Sequence, residues 1–127
     1  MLFRSGGNKP LVFSGRLKEQ ASRRLNETSR FVQAVCRPGG MRRGADGFKI
    51  TVKVRLVHAE VRRMIQRSGR WDDARWGAPI NQHDMAATTL LFSLVVLDGL
   101  RLFGFAVSAD EAEQYLQLWR YVGLVMG

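Results

Sequence analysis

Cysteine, proline and, in the first half of the chain, acidic residues are scarce. A single cysteine, Cys36, and three prolines stand among 127 residues. No internal disulfide can therefore staple the chain, and a collagen-like, disulfide-stapled or low-complexity class is ruled out. Metal-ligating types are equally thin: with one Cys and two His, and no pair at ligand spacing, a zinc site is not expected. Long apolar runs are lacking too. The longest nearly uncharged one, Met85 to Leu97, has 13 residues, short of the ~20 a membrane-spanning helix needs. No basic-then-apolar leader opens the chain, so the expectation is a reducing, cytoplasmic setting, with peripheral membrane contact left open. What is present is a 46% hydrophobic composition, too apolar for a disordered chain and enough for one domain.

The formal net charge is +9, which ordinarily points to a polyanionic partner. Its distribution is uneven. Up to residue 75 there are 18 Lys and Arg against 6 Asp and Glu, and after it 2 against 5. Arginine dominates the positive half, and its planar fork suits buried or bidentate anion contacts.

Residues 1–14 carry a Gly-Gly-Asn-Lys-Pro turn without periodicity and read as irregular. From about Gly15, Leu17, Ala21, Leu25, Thr28, Val32 and Val35 recur at three- and four-residue spacing, predicting a helix that stops before Pro38. Met41 to Gly47 reads as a basic loop. The stretch from Ile50 is ambiguous. Ile50, Val52, Val54 and Leu56 alternate as in a strand, yet Ile50, Val54, Val57, Val61 and Met64 keep helical spacing. The helical pattern continues to Ile65 while alternation fails at Val57, so a helix is predicted. Arg70 to Ile80 reads as a loop. A third helix, capped by Asn81 or Asp84, is apolar on nearly all sides from Met85 to Leu97, the pattern of a central buried helix. A last helix opens at Ser108 with Glu111 as a capping box and turns Ala112, Tyr115, Leu116, Trp119 and Val122 inward. The fold class is all-α, a helical bundle of about four main helices. The apolar end at Leu124–Met126 predicts that these residues form one incomplete helical domain, the central part of a larger one.

Three groups of residues carry chemical interest. On the first helix, Arg24 lies within roughly 20° of Leu17, inside the apolar arc, with Thr28 one turn on. A guanidinium there needs an anionic or carbonyl partner; Asp84 or Asp98 would serve as well as a ligand. On the second helix Arg55, His58 and Arg62 line one edge. Two flanking guanidiniums disfavour a protonated His58 and keep a lone pair for a metal, while they could neutralise carboxylates of its organic cofactor. A core histidine bonded to a backbone carbonyl explains the same position. Haem needs only one protein ligand and so survives the shortage of metal-ligating residues. His83, before the third helix, is a solvated, capping or substrate-side group, and Trp71, Trp76 and Trp119 read as packing residues.

The segments "RRLNETSRFVQAV", "KVRLVHAEVRR", "WGAPINQHDMAAT", "LDGLRLFG" and "YLQLWRYVG" together resemble the catalytic domain shared by latex-clearing protein (rubber oxygenase) and the mpaB-type oxygenases. The resemblance implies an all-helical fold of globin-like character with haem b as cofactor. It makes His58 the iron ligand, sets Arg55 and Arg62 around the cofactor beside its propionates, and places Arg24 and Thr28 in the haem pocket as catalytic residues. It also shows departures. Rubber-cleaving members carry a lysine before the threonine, where this chain has Glu27, and the upstream acidic base has no counterpart in residues 1–17. The function implied is a haem-dependent oxygenase using O₂ on a hydrophobic, isoprenoid or lipid-like substrate. The alternative is a non-catalytic helical module whose apolar surface is covered by a protein partner or a second copy. Nucleic acid is not expected, because no recognition motif accompanies the basic half.

Overall fold

The structure, a computed structural model, describes residues 9–10 and 21–127. The irregular opening and the start of the first helix near Gly15 lie outside the described residues, apart from positions 9 and 10. Six helical elements follow: α1 (Ala21–Cys36), α2 (Asp46–Arg67), α3 (Asp73–Trp76), α4 (Gln82–Phe92), α5 (Leu94–Leu102) and α6 (Ala109–Met126). Among the described residues there is no strand, and the all-α class holds. The chain divides into two compact units, Met1–Asn81 and Gln82–Gly127.

In the first unit, α1 packs on α2 across the turn of residues 37–45. Close approach is possible because the first turn of α2 carries a glycine. A Cβ on the buried Gly47 would lie 2.7 Å from the carbonyl oxygens of both Ala34 and Gly40. Thr51, fully buried one turn later, donates to Gly47 O at 2.7 Å, so its hydroxyl is satisfied within its own helix. Phe31, Ala34, Val35, Met41 and Ile65 complete the apolar interior. The helix beginning at Asp46 settles the ambiguity between strand and helix in favour of the helical spacing.

Two expectations in this unit are corrected. Burial on α1 is confined to its last two turns; Leu25 is 68% exposed and Thr28 is exposed. The predicted stripe is thus inward only at its C-terminal end, because the contact with α2 does not cover the first turns. The loop of residues 70–80 contains one helical turn, α3. Asp72 caps it by accepting from Arg75 N at 3.0 Å, and Trp71 and Trp76 meet edge to face at 5.3 Å.

The second unit holds α4, α5 and α6. Trp119, 2% exposed, is its centre, stacked on Phe92 at 5.1 Å with Tyr115 edge-on at 6.4 Å. Ala112 and Val122 are buried beside it and Tyr115 and Leu116 half-buried, the inward face that the sequence predicts. The capping box is present: Glu111 N donates to Ser108 Oγ at 3.2 Å, while the Glu111 carboxylate accepts from Ser108 N at 2.9 Å.

The predicted third helix is corrected in two respects. It is broken at Ser93 (φ −111°, ψ −83°) into α4 and α5, and it is not a buried central helix. Leu90, Leu91, Leu94, Val95, Val96 and Leu100 are exposed, and only Leu97 of α5 is buried among its apolar residues. A helix apolar on every side needs neighbours all round, and within this unit α4 meets only α5 and α6. Taken together, Gln82–Leu102 is 21 residues long and apolar enough to cross a membrane by length and composition, longer than the apolar run alone indicates.

Candidate cofactor site on the second helix

α2 is amphipathic over six turns, and its register decides which polar groups meet its apolar border. His58 and Arg62, four residues apart, are both half-buried, while Arg55 is exposed. Among the described residues His58 Nδ1 is buried without a hydrogen-bond partner. Burial, and after it the positive charge of Arg62, holds the imidazole below its ordinary pKa. The ring is therefore neutral near pH 7, with a nitrogen lone pair not taken up by the protein. A core histidine spending its polar atoms on a carbonyl would show the opposite pattern.

Arg62 differs from its sequence-based expectation. Its Nη2 donates to Ile80 O at 2.7 Å and its Nε to Pro79 O at 3.1 Å. The guanidinium so ties the loop before α4 to the second helix. Nothing in the local spacing signals this bond, because the partners are 17 and 18 residues away and are backbone atoms.

On α1, Arg24 is half-buried and Thr28 exposed. The two share an edge of α1 one turn apart. Glu27 forms an exposed ion pair with Arg23 Nε at 2.9 Å. Asp98, offered as a partner for Arg24, lies 3.5 Å from Arg101 Nη1. His83 is exposed in the first turn of α4. Among the described residues no three His, Cys, Asp or Glu side chains gather as a metal site, so a metal on α2 would rely on His58 as its lone side-chain ligand from these types.

The described residues are all-helical, and the chain belongs to a family of oxygenase catalytic domains: ER-bound oxygenase mpaB/B'/Rubber oxygenase, catalytic domain, matched over residues 5–127. Among individual proteins it is similar to the rubber oxygenase of Streptomyces sp. (strain K30), with 32% identity over 78 residues. That stretch covers 60% of this chain and 19% of the relative, so the match spans about a fifth of the relative's length. No solved structure matches.

Proposed function

We propose that this domain is a haem-b-dependent oxygenase unit that uses O₂ to oxidise a hydrophobic, isoprenoid or lipid-like substrate. The observation that carries the reading is His58, an imidazole kept neutral whose buried Nδ1 has no protein partner, on the longest helix of a chain from an oxygenase family. His58 would hold the iron, and Arg55, exposed one turn before it on the same helix, would offset the negative charge of a haem carboxylate, while Arg62 is engaged with the backbone of Pro79 and Ile80. Bound haem supplies the activation of O₂ that protein side chains lack. Arg24 and Thr28 would orient O₂ or substrate by hydrogen bonding, the guanidinium as a fixed cation and the hydroxyl as donor or acceptor. Glu27 in place of a lysine, engaged with Arg23, argues for a substrate other than polyisoprene.

Incubation of haem-loaded protein with isoprenoid and fatty-acyl substrates under ¹⁸O₂ tests the activity. Labelled oxygen in the product is expected; no labelled product from either class would remove the oxygenase reading.

A second reading is favoured by the exposed apolar side chains of α4, α5 and the following loop, where Leu102 is 85% and Phe103 82% exposed. On that reading the chain is a non-catalytic helical module covered by a protein partner or a second copy. Monomeric protein carrying one haem per chain would count against it.

A further inference from the structure

Ile80 has a backbone φ of +53°, and among the described residues no other non-glycine residue is left-handed. A β-branched side chain adopts that conformation only under strain, so something nearby must hold it. The holding group is visible. One guanidinium grips two successive carbonyls, with Arg62 Nη2 on Ile80 O at 2.7 Å and Nε on Pro79 O at 3.1 Å. Pro79, buried, limits the backbone freedom of the turn. Farther back in the same loop, Trp71 Nε1 donates to Gly77 O at 2.8 Å. The planar fork of arginine serves two fixed acceptors at once, whereas an ammonium acts as a single point charge.

We propose that Arg62 is a positioning residue: it pins the left-handed turn at Pro79–Ile80 to the second helix, one helical turn beyond His58, and so fixes what borders the His58 edge. The family likeness sets this arginine beside cofactor carboxylates; the geometry gives it the backbone of its own chain. The clamp stands on the structure alone, and its consequence for the site rests on the proposed role of His58.

The test is a mutational cycle on the full chain using wild type, Arg62→Met, Arg62→Lys, Ile80→Gly and the Arg62→Met/Ile80→Gly double variant. Each is followed by thermal unfolding and by haemin titration read at the Soret band. Arg62→Met is expected to lower the unfolding midpoint by roughly 4–8 °C and to reduce haemin uptake. Arg62→Lys recovers little of either. Ile80→Gly in the Arg62→Met background restores both, because glycine populates positive φ without the clamp. An Arg62→Met protein with the wild-type midpoint would overturn the proposal, as would a double variant no better than Arg62→Met. A restored midpoint without restored haemin uptake assigns Arg62 to the cofactor itself and overturns the positioning role. Should Arg62→Met not fold, a folded double variant supports the clamp and an unfolded one overturns it. Wild-type protein that takes up no haemin ends the haem reading, while the midpoint cycle still decides the clamp.

Discussion

Arg62 lies one helical turn beyond His58 and, after burial, is the second influence holding that imidazole neutral. The relationship has a consequence for folding. The unfolded chain binds a proton at His58 near the ordinary histidine value of about 6.5, and the folded chain binds it only at lower pH. Stability from this group is therefore fully present above that value and is lost as pH falls through the folded-state pKa. The thermal midpoint of wild type is expected to fall between pH 7 and pH 5 more steeply than that of His58→Gln. Parallel pH profiles for the two proteins would contradict the assignment.

Gly47→Ala tests the close approach of α1 and α2. The added methyl would sit 2.7 Å from two backbone oxygens, Ala34 O in the last turns of α1 and Gly40 O in the turn that follows. A loss of about 1–3 kcal/mol is expected, as for overpacking in a tight interior, measured by denaturant unfolding. Gly44→Ala makes an instructive control, since a Cβ there meets nothing within 4 Å. Its cost arises from the left-handed backbone alone.

In the second unit the aromatic centre dominates. Trp119→Ala removes a nearly fully buried indole stacked on Phe92 and is expected to cost about 3–5 kcal/mol. Tyr115 Oη donates to Phe92 O at 2.8 Å, next to the helix break at Ser93. Tyr115→Phe keeps the ring and removes that bond, for a loss of about 1 kcal/mol. Unfolding curves of the two variants separate packing from hydrogen bonding at the break.

Ser108→Ala removes the cap of α6 and is expected to destabilise the protein by about 1 kcal/mol. The Ser108 hydroxyl and backbone N–H both donate to the Glu111 carboxylate and hold its pKa below the usual value. The benefit is present above the unfolded glutamate pKa and is lost as acid protonates the folded carboxylate. The difference between wild type and Ser108→Ala should accordingly shrink in acid, which midpoints at pH 7 and pH 3 would show.

What the sequence made legible was local. Helical spacing from Ile50 to Ile65 outweighed a four-residue alternation, and Ser108 with Glu111 three positions later marked a helix start. The inward face of the last helix followed from the spacing of Ala112, Trp119 and Val122. The remainder depends on neighbours that periodicity does not encode. A largely apolar run from Met85 to Leu97 reads as buried only if enough surface exists to bury it, and no glycine or proline marks the break at Ser93. Leu25 and Thr28 keep the correct register but extend beyond the contact with α2. At the site, the charge of Arg62 beside His58 was readable from the spacing, but burial, the larger cause of the neutral imidazole, was not, and Arg55 has no part in it. The bonds of Arg62 to Pro79 and Ile80 were not readable, because their acceptors are backbone atoms of a distant loop.

On the proposed function His58 holds haem iron. The most direct measurement is the absorption spectrum of the protein, as expressed and after haemin addition, for wild type and His58→Ala. The wild type is expected to show a Soret band that is lost in the variant while the variant's helical circular dichroism is retained. An unchanged Soret band in folded His58→Ala would contradict it.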